Sequence, residues 1–246
     1  MATKLLYLED FDVVTASAVV TKVYAGEEGQ SVVELDQTCF YPRGGGQDWD
    51  TGVISAENGA KFVVEMVRLD ENGVVQQYGQ FENGSFAEGE SVKCTVDEVR
   101  RQANTRLHSA GHLIDMAVDQ LGYPWVPAKG AHYPHMSFVE YDTGDFVADD
   151  ATRQAIQTTV DELSARDYQN QIMFLPVSEM GRYCRHVPGN IPTNKPARIV
   201  LYADDFGIPC GGTHVRSVRE IGKIEITKVK SKQGVTKVSY RVEGIN

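Results

Sequence analysis

No part of this sequence approaches the roughly 18 uninterrupted apolar residues of a membrane-spanning helix, so none is expected. Cysteine is scarce: Cys39, Cys94, Cys184 and Cys210 show no framework spacing, which argues against a disulfide scaffold. The opening residues, Met1 to Asp10, are too acidic and too short in their apolar run for a signal peptide. A reducing, cytoplasmic compartment is therefore expected, with Cys210 a ligand rather than half of a disulfide. There is no internal repeat and no low-complexity segment. What remains is an ordinary globular composition, 246 residues with 41% hydrophobic and 24% charged, enough for one large or two medium domains.

Net charge is −10, which at first opposes nucleic-acid binding, but it is unevenly spread. Residues 1–98 hold 18 acids against 6 bases; residues 99–246 hold 16 against 18. Within 216–241 there are 8 bases and only Glu220 and Glu225 as acids, and 181–198 adds Arg182, Arg185, Lys195 and Arg198 with none. A polyanion such as tRNA would be steered to the C-terminal part, with Arg182, Arg185, Lys228, Lys230 and Lys232 as candidate contacts. A solvated basic strand face explains the same charges.

Residues 1–95 read as all-β. Val13-Val14, Ala18–Tyr24, Ser31–Leu35, Lys61–Val67 and Ser91–Val96 are β-branched or aromatic runs. Glycine-rich turns separate them, and Phe81–Gly89 reads as a turn-rich join. Short strands with frequent turns predict a small barrel or sandwich. Inside lies Cys39-Phe-Tyr-Pro-Arg-Gly-Gly-Gly-Gln47. Gly44, Gly45 and Gly46 in succession cost conformational entropy, so they imply a close backbone approach or a wide turn. Gln47 can donate and accept, and so could hold a water or a substrate carbonyl.

From Asp97 the pattern becomes helical. Leu107, Ala110, Ile114, Ala117, Val118 and Leu121 form a core stripe, and the helix should end near Leu121-Gly122. His108 and His112, four apart, bring their rings one above the other beside that stripe. Far along the chain, Cys210-Gly-Gly-Thr-His214 repeats the spacing, and Gly211 and Gly212 let the backbone bend so that Cys210 and His214 converge. Three imidazoles and a thiolate suit zinc. Ser109 stands where the His-Glu-x-x-His metalloproteases carry their general base, which argues against that mechanism. Asp115 and Asp119 could orient a ligand imidazole. His132 and His135 are rival ligands or bases. A second helix is expected over roughly 150–167, capped by Asp149 or Asp150, then strands at Ala197–Tyr202, Gly222–Lys230 and Thr236–Val242. This half is therefore α+β.

His108–His112 with Cys210–His214 resembles the metal motif of the editing domains of alanyl- and threonyl-tRNA synthetases. Phe40–Gln47 with Asp50-Thr-Gly52 resembles the glycine-rich motif of the β-domain preceding the alanyl-type editing domain, and Lys129–Pro134 and Phe138–Tyr141 also resemble that family. The likeness covers nearly the whole chain and leaves no room for an aminoacylation domain. The sequence is thus similar to the free-standing AlaX-type alanyl-tRNA editing proteins. The resemblance implies an α+β protein, with a small β-barrel-like domain over 1–95 carrying the glycine-rich motif and an editing domain over 96–246. It implies zinc on His108, His112, Cys210 and His214. It further implies ATP-independent hydrolysis of the ester on mischarged alanine tRNA, chiefly seryl and also glycyl, with the glycine-rich loop approaching from the other domain.

Zinc lowers the pKa of its bound water to about 7 and polarises a carbonyl. Four protein ligands, however, make a closed site, so the zinc-bound water and Gln47 are the catalytic candidates alongside substrate positioning. Backbone donors from Gly44–Gly46 and Gly211–Gly212, together with Thr213, are the expected substrate contacts. A group that recognises the serine hydroxyl is not found among Trp125–Gly130, which leaves Thr213 or Ser109. Competing readings are a zinc hydrolase of a small ester or amide, and a non-catalytic, zinc-stabilised RNA-binding module. The Gly-Gly-Gln tripeptide also occurs in release factors, but its acidic surroundings speak against ribosomal peptide release.

Overall fold

A computed structural model describes residues 1–203 and 205–245. The chain divides into two compact units, one made of Met1–Gly44 with Asp48–Gln102, the other of Gly45–Gln47 with Ala103–Asn246.

The first unit holds β1 (Lys4–Leu5), β2 (Thr15–Ala25), β3 (Ser31–Leu35), β4 (Gln37–Thr38), β5 (Gly52–Ala56), β6 (Lys61–Leu69), β7 (Val75–Asn83) and β8 (Ser91–Val96). Six of these close an antiparallel barrel in the order β2-β3-β7-β6-β5-β8, while β1 and β4 pair in parallel. Closure removes exposed sheet edges. The interior takes alternate residues of each strand, Val20, Val33, Ile54, Phe62, Val64 and Cys94 among them. The expected barrel-or-sandwich resolves to a barrel. Val13-Val14 lies outside any strand, packed part-buried against this core. The run expected as a join over Phe81–Gly89 is strand as far as Asn83.

A buried ion pair ties this unit together. Arg101 Nε donates to both carboxylate oxygens of Asp50 at 3.0 Å, Nη1 to the Val13 carbonyl at 3.0 Å and Nη2 to the Cys39 carbonyl at 2.6 Å. Asp50 also accepts from Tyr41 N–H at 2.6 Å. Burial of two charges is tolerated because their hydrogen bonds are made within the protein.

The helix α1 (Glu98–Gln120) enters the second unit at Ala103. It is followed by β9 (Val126–Tyr133), β10 (Met136–Asp142), α2 (Asp150–Ser164), β11 (Gln171–Leu175), β12 (Ala197–Tyr202), β13 (Phe206–Pro209), β14 (Ile224–Lys232) and β15 (Val235–Val242). They form an antiparallel sheet β14-β15-β10-β9 and a second antiparallel sheet β11-β12-β13. Asp149 caps α2 with a reciprocal capping box to Thr152, and α2 ends at Ser164, before the expected 167. The Gln157 side chain joins this helix to β14, donating to Ile224 O at 3.0 Å and accepting from Ile226 N–H at 2.7 Å. Gln233 and Gly234, both at positive φ, turn β14 into β15. The fold class is α+β, as the sequence indicated. No helix of the described residues is long and apolar enough to cross a membrane.

Candidate metal centre

Helical spacing decides the first half of the site. Leu107, Ala110, Ile114 and Ala117 are buried along α1, and His108 and His112 stand on the adjacent face with ring centroids 5.0 Å apart and planes 19° apart. The second half follows from the end of β13. There the backbone turns at Cys210-Gly211-Gly212, Gly212 N–H donates to Cys210 Sγ at 3.2 Å, and Arg198 Nη1 on β12 holds the Cys210 and Gly212 carbonyls at 2.7 and 3.0 Å. Gly212 must be glycine, because a Cβ there would run into the His108 ring.

The ligand atoms of His108, His112, Cys210 and His214 all lie within 4.8 Å of one another. Cys210 Sγ is 3.5 Å from His108 Nε2 and 3.3 Å from His214 Nε2. Tetrahedral zinc, with bonds of about 2.3 Å to sulfur and about 2.1 Å to nitrogen, sets such atoms about 3.6 Å apart. His112 Nε2 is buried and has no hydrogen-bond partner. An orphaned buried nitrogen facing a thiol and two imidazoles fits a metal ligand.

The other ring nitrogens of His108 and His214 are hydrogen-bonded in the way ligand histidines require, and that of His112 makes no hydrogen bond but faces a carboxylate. His108 Nδ1 donates to Gln47 Oε1 at 2.7 Å. His112 Nδ1 lies 3.5 Å from Asp115 Oδ2, and Asp115 also accepts from Tyr141 OH at 2.6 Å. His214 Nδ1 meets Tyr202 OH at 2.9 Å and Ser109 Oγ at 3.3 Å. Of the two aspartates considered from sequence, only Asp115 reaches a ligand ring; Asp119 pairs with Arg185.

Burial opposes charge on these imidazoles. It takes His108 and His214 well below the usual histidine range, with neighbouring histidines and Arg198 adding to the effect. For His112 burial is outweighed by Cys210 and Asp115, which bring it up to about 9. The Cys210 thiol, though buried, is drawn down by His112, the Gly212 N–H and Arg198. Neutral imidazoles and a thiolate are the forms that bind a metal.

Gln47 stands behind this set. It is fully buried; its Oε1 takes the His108 Nδ1 proton and the Thr213 N–H (3.1 Å), and its Nε2 donates to Thr213 Oγ1 at 2.8 Å. Thr213 Oγ1 meets Thr105 Oγ1 at 2.7 Å. The expectation that Gln47 faces a water or substrate carbonyl is corrected accordingly, since its amide is already spent on His108 and Thr213. Thr213, expected at the substrate, is likewise engaged and buried. Gly46, at positive φ, accepts from His132 N–H at 2.8 Å and comes too close to the Gly130 carbonyl for any Cβ. Gly45 and Gly211 are exposed, and Gly44 belongs to the first unit, where its carbonyl takes the Tyr41 hydroxyl at 2.9 Å.

His132 is not part of the four-residue cluster. It is buried with its ring parallel to that of His108, centroids 4.6 Å apart. His135 is exposed and stacks on Tyr133. Thr105 escaped the sequence reading, and Tyr202 and Arg198 entered it only as a strand end and a surface base, not as residues of the site. Tyr202 ends an apolar strand run, and only Thr105, three residues before His108 on the same helix, carried a spacing that could have revealed it.

Among the basic candidates, Lys228, Lys230 and Lys232 are exposed on β14, and Lys230 sits directly across from Lys237. Arg182 lies 3.3 Å from Glu179, and Arg185 is held to Asp119 and to the Tyr123 carbonyl.

Residues 9–100 match the family of class II (A) tRNA synthetases, and residues 198–241 match the threonyl and alanyl tRNA synthetase second additional domain. The alanine–tRNA ligase of Nitrosopumilus maritimus is 30% identical over 99% of this chain, and that of Haloquadratum walsbyi 28% over 97%. The chain spans only 26% and 25% of those two proteins. The alanyl-tRNA editing protein AlaX-M of Saccharolobus solfataricus is 32% identical over 98% of this chain and 99% of its own length. The chain belongs to the AlaX-M family of alanyl-tRNA editing proteins. Within this AlaX-M relative the alignment takes in both halves of the cluster, whereas the second additional domain contains only Cys210 and His214.

Proposed function

We propose that the protein is a zinc-dependent aminoacyl-tRNA deacylase, acting in trans on alanine tRNA charged with serine or glycine. The observation that carries this reading is the convergence of His108, His112, Cys210 and His214, each ring oriented from behind, in a chain alignable with AlaX-M over that protein's whole length. A metal bound there would act as a Lewis acid toward the ester carbonyl and the attacking water. The chain's own residues do the rest. Gln47, Asp115 and the Tyr202–Ser109 pair fix the three rings, and Arg198 fixes the Cys210 turn. The Gly212 N–H is committed to Cys210 Sγ, so the exposed Gly211 and Gly45 are the backbone positions left to contact the ester. Alanine and its smaller or hydroxylated analogues differ too little for one binding step, which is why a second hydrolytic sieve is useful. The exposed lysines of β14 would meet the tRNA backbone.

The test is deacylation of seryl-, glycyl- and alanyl-tRNA(Ala) by the purified protein beside His108→Ala and Cys210→Ala, with zinc content measured in each. The wild type should carry zinc and clear the seryl ester; both variants should lose the metal and show only spontaneous hydrolysis. Equal loss of serine in all three samples would falsify the reading.

A further inference from the structure

Beside the four candidate ligands, His132 carries a ring nitrogen whose role its neighbours' hydrogen bonds decide. Tyr240 OH has a single proton, and the Leu107 carbonyl, which can only accept, takes it at 2.8 Å. The contact of 2.6 Å between Tyr240 OH and His132 Nδ1 must therefore be donated by the ring. That fixes the tautomer: Nδ1 carries the proton and Nε2 presents a lone pair. Nε2 makes no hydrogen bond to any described residue, while the hydroxyl and amide groups nearest the four candidate ligands are engaged. Thr105, Thr213 and Gln47 bond one another, and Ser109 takes the Val215 N–H at 3.1 Å besides His214.

The ring is held in a fixed place. It lies parallel to His108, 15° between planes. Two glycines make room for it: a Cβ on Gly111 would run into the imidazole, and a Cβ on Gly130 would sit 2.6 Å from Nε2. So Nε2 faces along β9 across Gly130, and the strand before it, Val126–Lys129, is exposed at every residue. A directed acceptor on a buried ring thus lies against Gly130, the residue that follows the exposed stretch, one stacked ring away from the proposed metal.

We infer that His132 is the residue by which this site distinguishes a seryl from an alanyl or glycyl ester, its Nε2 accepting the hydrogen bond of the serine hydroxyl. The inference rests on the deacylase reading above. A methyl group or a hydrogen in place of the hydroxymethyl leaves that nitrogen unpaired next to substrate, and a site built to hydrogen-bond a substrate hydroxyl discriminates strongly against analogues lacking it. Serine needs no Ser or Thr on β9 for its recognition, because the strand supplies an imidazole two residues beyond Gly130.

The experiment compares kcat/KM for seryl- and glycyl-tRNA(Ala) in wild type, His132→Leu and Tyr240→Phe, with zinc content and thermal melting of each. His132→Leu should lower the seryl value about ten- to hundredfold while the glycyl value stays within about twofold. Tyr240→Phe keeps the imidazole but frees its tautomer, and should lower the seryl-to-glycyl ratio by a smaller factor with zinc retained. That second variant carries the test if His132→Leu does not fold. A parallel fall of both esters, as expected if the ring serves the attacking water or only the packing, overturns the inference, as does an unchanged ratio. A wild type that hydrolyses neither ester overturns the deacylase reading itself, and the inference with it.

Discussion

Gln47 takes two N–H groups on one oxygen and gives a proton to one hydroxyl, with no surface left exposed. Its replacement by alanine would leave the His108 Nδ1 proton and the Thr213 N–H buried without an acceptor, at a cost of about 1–3 kcal/mol. On the zinc reading proposed above, in which Gln47 orients a ligand ring, Gln47→Ala should also weaken zinc binding about 10- to 100-fold, read by competition with a chelator. The same competition has a pH dependence of known sign. His112 holds its proton up to about pH 9 in the free protein, and a metal must expel it. Apparent zinc affinity should therefore rise as pH increases, by up to about tenfold per unit around neutrality. An affinity that stayed flat or fell over that range would contradict the assignment of His112 as a ligand. The four-apart spacings made the donor set legible in the sequence. The direction of the Gln47 amide was not, since its partners are 61 and 166 positions away and no local pattern records them.

Strands rich in β-branched residues were legible almost to the residue: β3, β8 and β12 coincide with the runs read from sequence. β5 and β7 were not. β7 carries Gln76, Gln77, Gly79 and Gln80, poor strand formers that adopt the conformation because both edges are paired within a closed barrel. Gly79 belongs there for a packing reason, since a Cβ would strike the Val63 carbonyl of β6. The Asp50–Arg101 pair was invisible for a related reason, its meaning lying in burial and not in residue type. Asp50→Asn keeps the shape but strands the guanidinium charge, and should cost about 3–5 kcal/mol, measured as a lower urea midpoint. A loss below about 1 kcal/mol would show the pair to be solvated after all.

Taken over its full length, the chain sets an acidic barrel sequence before a basic C-terminal hairpin. On β14 and β15, Lys230 and Lys237 face each other directly, and Lys237 is paired on its other side with Glu140 at 2.8 Å, which leaves the β14 lysines as the exposed charges. Replacing Lys228, Lys230 and Lys232 with glutamine should reduce the slope of log affinity for tRNA against log salt by about 3, roughly 1 per phosphate contact. Deacylation at saturating tRNA should hardly change; an unaltered slope would move the RNA contact elsewhere. The charge asymmetry was readable from composition, but Arg185 was not separable from the free lysines until its tie to Asp119 was seen. One further consequence comes from the turn at Gly45–Gln47, which packs with the unit that otherwise begins at Ala103. A polypeptide started at residue 103 would have a hole behind His108, however well its own sheets closed. Grafting this module into another protein means bringing the tripeptide along on some tether, because the piece that must travel is continuous in space and broken in sequence.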